Sequence, residues 1–234
     1  MDKKEERRPN LNKVIEVLEG VKVKRPYINV SEGISDKRIN ETISEISRFI
    51  VETATPKRND RLFPAHSNMV NPLNISFGAL GVAVTLQKIN GTVPSDFTDW
   101  ILNHEVTENE YPPSLYLGLS GIAWAFTLLN ETNLAKKTLE KPGNTRFYIN
   151  LLIYTGIAGY DLTNLHFWMV TKEDKYLNEA IKIGNELIEK RTKNQSGCFW
   201  PSPEGTVFIG YLNCSSGIAL FLLYLYQVTN ERLS

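Results

Sequence analysis

Apolar residues gather in four runs along the chain, and each run follows a short segment that contains a Gly-x-x-Gly pair or its equivalent. The first glycine of the pair is Gly78, Gly118 or Gly156, with Cys214 in that place in the fourth copy, and the second is Gly81, Gly121, Gly159 or Gly217. The last interval is longer because it holds an insertion over residues 194–205. Repetition of one motif predicts an architecture that stacks one structural unit.

Apolar positions recur three and four residues apart, which predicts α-helices and no strands. The four apolar runs predict helices over residues 76–89, 114–129, 147–170 and 217–228, and the intervals predict helices over 95–103, 133–139 and 175–190. Another helix begins at Ser35 and Asp36, residue types that suit a helix N-terminus. Residues 1–20 predict a short amphipathic helix, and residues 21–35 a polar linker. The pattern predicts an all-α fold in which inner and outer helices alternate.

Composition narrows the function classes. The 234 residues include 26 basic and 26 acidic side chains, so no global field favours nucleic acid or an anionic membrane as a partner. The charged N-terminal segment is not followed by an apolar stretch, and no apolar helix is long enough to span a bilayer. Cys198 and Cys214 are too few for a disulfide framework and lack metal-ligand spacing. These features predict a cytosolic protein with buried, reduced thiols.

A glycine pair at a helix entrance allows neighbouring backbone to approach closely, so it is first a packing device. Four such turns around an inner ring of helices would converge at one end and form the rim of a pocket.

The four repeats, the Thr-Lys-Glu-Asp-Lys-Tyr-Leu-Asn-Glu-Ala segment at 171–180 and the Gly-Tyr-Leu-Asn-Cys-Ser-Ser-Gly-Ile-Ala-Leu-Phe-Leu-Leu segment at 210–223 resemble the lanthionine synthetase C family. The resemblance covers about residues 62–232 and implies a partial α/α toroid, with about four of the family's seven repeats. Residues 7–18, Arg-Arg-Pro-Asn-Leu-Asn-Lys-Val-Ile-Glu-Val-Leu, resemble the closing helix of a protein-kinase domain. Together they resemble the fused class III and class IV lanthipeptide synthetases, which implies a kinase-like remnant at 1–20, a linker at 21–35 and a partial cyclase-like domain at 36–234.

The resemblance implies an activity. Cyclases of this family add a cysteine thiolate of a dehydrated precursor peptide to a dehydroamino acid, closing a thioether ring, and the chemistry needs a base and an acid. The histidine expected in the fourth repeat is replaced by Asn213, and the aspartate expected before the third is replaced by Leu152. Asp161 is the nearest carboxylate. We therefore take Asn213 and Asp161 as the candidate catalytic residues of a degenerate or incomplete cyclase.

The resemblance also implies partners and cofactors. The expected partners are a precursor peptide and the kinase and lyase regions of the same synthetase, with self-association through the open flank of the 217–228 helix also expected. The zinc ligands of the family come from later repeats, so no metal or other cofactor is expected from these residues.

Aromatic side chains suit an extended peptide substrate. Tyr211, Trp200 and Tyr154 are the candidate substrate-binding residues, and Trp200, in a loop beside Pro201 and Pro203, is expected to be exposed; the alternative for such residues is a core position. A packed imidazole is the expected role of His166, and His66 and His104 have comparable structural alternatives.

Two other functions fit the pattern. One is a non-catalytic module that binds precursor peptide for the kinase and lyase partners. The other is an α/α-barrel carbohydrate enzyme, which requires paired carboxylates near the helix turns; Glu105, Glu108 and Glu110 lie in one such loop.

Overall fold

The computed structural model describes residues 33, 35–64, 71–141, 151–154, 156–195, 197–202, 205–208, 210–211 and 215–229. The described helices are α1 (Asp36–Thr53), α2 (Ala79–Asn90), α3 (Ser95–Leu102), α4 (Leu119–Leu128), α5 (Thr132–Leu139), α6 (Ile157–Thr171), α7 (Asp174–Glu189) and α8 (Ser215–Thr229). The strands are β1 (Thr192–Asn194) and β2 (Gly197–Phe199). The fold of the described residues is therefore helical, as the sequence predicts, with one small hairpin added.

Two compact parts, Met1–Glu45 and Ile46–Ser234, divide the chain within α1. At the start of α1, the Ser35 hydroxyl accepts a hydrogen bond from the Arg38 amide at 3.3 Å, which confirms the predicted helix start. Further along α1, Ile46 and Phe49 are exposed. The predicted helix over residues 1–20 and the linker over 21–35 lie outside the described residues, apart from Gly33 and Ser35.

The second part has two layers of helices. Helices α2, α4, α6 and α8, which we call the row helices, pack side by side in chain order. Helices α3, α5 and α7 each pack against the row helix that precedes them, and α7 also contacts α8. The alternation follows from composition: α8 contains no charged residue, whereas α7 carries charged residues and buries Tyr176, Ala180, Ile183, Gly184 and Leu187.

The first three row helices begin later than the sequence predicts, whereas α8 begins at Ser215, two residues earlier than predicted. The helix predicted from residue 114 begins at Leu119, and the one predicted from 147 begins at Ile157. The residues just before each start form a turn instead. Apolar periodicity runs through the turn because the turn is itself buried against the row, so periodicity alone places the helix start too early.

The hairpin corrects two predictions. The sequence predicts no strands, yet Thr192 pairs with Phe199 and Asn194 with Gly197 in an antiparallel ladder. Gly197 has a φ of 132°, a value that glycine adopts without strain. The prediction of buried thiols is wrong for Cys198, which is exposed on β2. Cys214 lies outside the described residues.

The core of the second part is continuous and apolar. Its members include Leu80 and Leu86 of α2, Phe126 of α4, Phe167 of α6 and Phe221 of α8, all at 0–1% exposure. Among the residues described, none of the helices combines the length and the apolar character that crossing a bilayer requires.

Candidate functional site

A turn of one kind precedes each of the first three row helices, α2, α4 and α6. Gly78, Gly118 and Gly156 cap α2, α4 and α6 with extended backbone, at φ/ψ of −101/−177°, −135/−162° and −132/−162°. In the first two turns, the amide after the glycine donates to a proline carbonyl: Ala79 to Pro72 and Leu119 to Pro112, both at 2.8 Å. We call each turn with its row helix a repeat; the four repeats are residues 72–90, 112–128, 151–171 and 210–229.

The second glycine of each repeat lies against its own turn. A Cβ atom built on it would collide with the carbonyl oxygen of the residue six positions earlier. These pairs are Gly81 and Ile75, Gly121 and Leu115, Gly159 and Ile153, and Gly217 and Tyr211. The backbone oxygen cannot move without displacing the turn, so glycine is required here for the close approach. The predicted packing role of the Gly-x-x-Gly pair is thus confirmed.

The same glycines also join one repeat to the next. A Cβ built on Gly121 would lie 3.2 Å from Ile75 Cγ1, and one on Gly217 would lie 2.8 Å from Ile153 Cδ1. The third repeat follows the rule, since a Cβ on Gly159 would lie 2.9 Å from Leu115 Cβ. In the second, third and fourth repeats, the second glycine therefore packs against a residue of the preceding repeat. That residue lies six positions before the second glycine of its own repeat. We call this series of contacts the glycine ladder.

Hydrogen bonds hold the first two turns together as well. The Ser76 amide donates to the Tyr116 carbonyl at 3.3 Å, and the Asn71 side-chain amide donates to the Leu117 carbonyl at 3.1 Å. Together with the glycine ladder, these bonds place the turns next to one another at one end of the row. We call this end the turn face.

Each turn contributes one aromatic side chain: Phe77, Tyr116, Tyr154 and Tyr211, which we call the aromatic row. The rings of Tyr116 and Tyr154 stack, with centroids 5.5 Å apart and an interplanar angle of 30°. Both tyrosines are half-buried. Phe77 is 46% exposed and Tyr211 is 43% exposed. The turn face thus presents aromatic surface from every repeat.

Tyr211 lies close to other tyrosines. Burial raises the pKa of its hydroxyl, and the nearby Tyr116 and Tyr224 raise that pKa further. The tyrosine therefore stays neutral at physiological pH, as a hydrogen-bond donor and acceptor.

The structure places two predicted substrate-binding residues, Tyr154 and Tyr211, on the turn face, and corrects the third. The prediction that Trp200 is exposed is wrong, because its side chain is only 4% exposed. Its indole Nε1 donates to the Leu187 carbonyl at 2.6 Å, and its amide donates to the Ser215 hydroxyl at 3.0 Å. Trp200 is a core residue between α7 and α8.

The two candidate catalytic residues differ in what the structure says of them. Asn213 lies outside the described residues. Asp161 lies on α6 with 0% exposure, and neither carboxyl oxygen has a hydrogen-bond partner among the described residues. Burial raises the pKa of Asp161 well above its usual range, Glu179 and Glu186 raise it further, and Lys182 opposes them. Burial therefore favours the neutral form of the Asp161 carboxyl group. This burial argues against direct contact with a substrate, and its catalytic role stays a prediction.

Alignment of the repeats on the second glycine explains why Asp161 is unusual. The equivalent residues are Ala83, Ala123 and Ala219. Ala83 and Ala123 are, like Asp161, fully buried. The third repeat thus inserts a carboxyl group where the architecture otherwise packs a methyl group. Leu152, in the other expected catalytic position, is also buried, at 8% exposure.

The histidines have structural roles where they are described. His166 Nε2 lies 3.2 Å from the Thr127 hydroxyl, and burial lowers its pKa, which confirms the predicted packed imidazole. His104 stacks on Trp100 with ring centroids 3.6 Å apart. Its ring nitrogens lie 2.7 Å from the Trp100 carbonyl and 2.8 Å from the Asn59 carbonyl. His66 lies outside the described residues.

A second concave surface adjoins His104. This open cleft of about 440 Å³ is lined by Pro56, Asn59, Asp96, Asp99, Trp100, Asn103 and His104. Trp100 is 6% exposed and its indole already donates to the Arg58 carbonyl. Asp96 and Asp99 supply the carboxylates of the cleft, and Asp96 accepts a hydrogen bond from the Phe97 amide. The predicted carboxylates Glu105, Glu108 and Glu110 are exposed and do not line this cleft.

Sequence reasoning missed Phe77 and Tyr116. Alignment of the turns finds Tyr116, because Tyr116 and Tyr154 both lie five residues before the second glycine; it does not find Phe77, which lies four residues before Gly81. No group of three or more His, Cys, Asp or Glu side chains in the described part of the chain is arranged to hold a metal ion.

In comparisons with known proteins, no protein-family model matches the chain, and no curated protein matches it in a sequence search.

Proposed function

We propose that residues 36–234 form a partial lanthionine synthetase C-like α/α toroid that binds a dehydrated precursor peptide on its turn face. The two-layered arrangement of row helices and partners supports this architecture, and so does a glycine turn of one geometry before each of α2, α4 and α6. In this proposal the chain works beside the kinase and lyase regions of a cytoplasmic synthetase and presents the peptide to them.

The observation that carries the proposal is the stacked pair of Tyr116 and Tyr154 on adjacent turns. Aromatic side chains offer large, rigid contact area at low entropic cost, and tyrosine adds a hydroxyl group that pairs with peptide amides. In the single chain, the exposed ring of Tyr211 extends the same surface by one turn. An extended peptide that crosses the turns would meet one aromatic ring per repeat.

Peptide binding is favoured over ring closure because of what occupies the expected catalytic positions. Ring closure requires a base to take the cysteine proton, bonding of the thiolate sulfur to the β-carbon of the dehydroamino acid, and an acid to protonate the resulting enolate carbon. Leu152 has no ionisable group, and the Asp161 carboxyl is fully buried, with its pKa raised above the usual range. Asparagine at position 213 accepts and donates hydrogen bonds but does not exchange a proton near neutral pH.

The binding test uses a fluorophore-labelled synthetic peptide that contains both dehydroalanine and cysteine. Fluorescence anisotropy gives its dissociation constant for the unmodified chain and for Tyr154→Ala. We expect the substitution to weaken binding about fivefold to tenfold, the usual effect of losing one aromatic anchor. Tyr154→Phe, which keeps the ring, should retain most of the affinity.

The matched control is Phe49→Ala, which removes an aromatic ring that is 65% exposed on α1. This variant should bind the peptide like the unmodified chain. Absence of binding to the unmodified chain would contradict the proposal, and an equal loss in Phe49→Ala would remove the aromatic row from it.

Mass spectrometry on the same peptide separates binding from chemistry. After incubation with the chain, free thiols are alkylated and counted. We expect thiol loss at the rate of the enzyme-free control. Faster loss would establish thioether cyclisation as the function and return Asn213 to the catalytic position.

A further inference from the structure

The glycine ladder has two unfilled ends. Within the ladder, the second glycines Gly121, Gly159 and Gly217 are buried, whereas Gly81 of the first repeat is only partly buried. At the opposite end, Ile153 of the third repeat is 0% exposed and its equivalent in the fourth repeat, Tyr211, is 43% exposed. Among the described repeats, one end therefore offers a glycine without the side chain of a preceding repeat, and the other offers a side chain without a following glycine.

The first end continues along α2. Thr85 and Ile89 lie one and two turns after Gly81 on the same helix face. Thr85 is exposed, and Ile89 is 44% exposed. Their equivalents are buried in the third and fourth repeats: Thr163 at 1%, Phe221 at 0%, Phe167 at 0% and Leu225 at 0%. This face, Gly81, Thr85 and Ile89, is the head surface.

The second end continues along α8. Leu223 is 50% exposed, whereas its equivalent in the third repeat, Leu165, is 4% exposed. Ala219 is exposed as well, although Ala83 and Ala123 are fully buried at the same position. We call Tyr211, Ala219 and Leu223 the tail surface. Since α8 carries no charge, burying this surface would cost no desolvation of an ionised group.

We propose that a second copy of this chain docks its head surface on the tail surface, continuing the glycine ladder between molecules. Tyr211 then lies over Gly81 of the second copy, as Ile153 lies over Gly217 within one chain. The contact between Thr127 and His166 fixes the second register. Thr127 lies six residues after its second glycine and His166 seven residues after its own. The same pairing between the fourth repeat of one copy and the first repeat of the second copy places Leu223 beside Lys88. The methylene stem of Lys88 then covers the leucine while the ammonium group stays in water.

The interface joins two different surfaces, so it is heterologous. Such contacts propagate head to tail into a closed ring or an open filament. An isologous pair of α8 helices is the alternative use of the tail surface, and it would stop at a dimer. The two arrangements make opposite demands on the head surface, which separates them by experiment.

The test is a complementation experiment by sedimentation velocity on the full chain. Thr85→Arg blocks the head surface and Leu223→Arg blocks the tail surface; both positions are exposed, so folding tolerates the charge. The unmodified chain should form species larger than a dimer as its concentration rises. Each variant alone should weaken association by about tenfold or more.

The decisive sample is an equimolar mixture of the two variants. Each mixed pair contains one intact head and one intact tail, so the mixture should recover association but stop at a dimer. Met169→Arg, at a position that is 58% exposed on α6, is the matched control and should associate like the unmodified chain.

Two results would overturn the proposal. Association of Thr85→Arg as strong as that of the unmodified chain would show an isologous contact between tail surfaces. A chain that remains monomeric up to on the order of 100 µM, where even weak specific contacts are populated, would show that a second copy does not cover the tail surface.

Discussion

The indole Nε1 of Trp200 donates a hydrogen bond to the carbonyl oxygen of Leu187, 2.6 Å away. Leu187 lies in the last turn of α7, where carbonyl groups have no partner within the helix. The Trp200 amide donates to the Ser215 hydroxyl at the start of α8. One residue after the hairpin therefore ties the end of α7 to the beginning of α8.

Replacement of Trp200 by phenylalanine tests that tie. Trp200→Phe keeps an aromatic ring but leaves the Leu187 carbonyl without its donor, so the free energy of unfolding should fall by about 1–3 kcal/mol. Urea unfolding followed by circular dichroism measures it. Trp168→Phe, the same chemical change at a half-buried site, should cost less; equal losses would count against the hydrogen bond as the cause.

Two glycine-to-alanine substitutions test the close approaches. In Gly121→Ala the new methyl group meets the Leu115 carbonyl oxygen of its own turn, and the destabilisation should reach about 3 kcal/mol or more. In Gly184→Ala the methyl group meets Leu225 Cδ2, the end of a side chain that can rotate. Its cost should be offset by the gain of about 1 kcal/mol in helix propensity. Similar destabilisation of both variants in thermal unfolding would contradict the role of the turn oxygen.

Asp161 should make the fold less stable as the pH rises. Its pKa in the folded chain is raised above the ordinary 3.8 by burial and by Glu179 and Glu186. Above pH 3.8 the unfolded chain releases this proton while the folded chain keeps it, so the free energy of unfolding falls.

Asp161→Ala restores the residue type of the other repeats, and it removes two unpaired oxygens worth about 1–3 kcal/mol. The variant should be more stable than the unmodified chain, and its advantage should grow between pH 4 and pH 7 in urea unfolding. Asp99→Ala, which removes an exposed carboxylate, should show no such growth. An advantage for Asp161→Ala that is independent of pH would indicate that the carboxyl group is ionised in the folded chain.

His166 should act in the opposite direction. Burial lowers its pKa below the ordinary 6.5, so below pH 6.5 the unfolded chain takes up a proton that the folded chain resists. Stability should therefore fall as the pH drops through this range. His166→Gln, which retains a hydrogen-bonding group for Thr127, should reduce the fall in melting temperature between pH 7.5 and pH 5.5. An unchanged slope would assign the effect to other groups.

Periodicity predicts which segments are helical, because the buried face of a helix consists of apolar residues three or four positions apart, or multiples of these, such as Tyr176, Ile183 and Leu187. It does not predict where the row helices begin. The turn residue Ile153 is as buried as Phe167 inside α6, so both contribute equally to an apolar pattern.

The candidate site is likewise predictable from the sequence only in part. Tyr154 is predictable because it belongs to a repeated turn, and its partner Tyr116 becomes predictable once the repeats are aligned. The burial of Trp200 is not, since adjacent prolines signal a loop and the Leu187 carbonyl that receives its indole is set by tertiary packing. The raised pKa of Asp161 likewise depends in part on Glu179 and Glu186 of α7, which are distant from it in the sequence.

The glycine ladder also sets how the chain tolerates insertion and deletion. Every repeat presents the same two surfaces to its neighbours. Removal of the third repeat together with α7 would therefore bring Gly217 against Leu115, an apolar side chain that takes the place of Ile153. Removal of a single residue between Leu115 and Gly121 would instead move the carbonyl oxygen out of register with the glycine and lose the turn. We therefore expect this architecture to tolerate the gain or loss of whole repeats, but not of single residues within the turns.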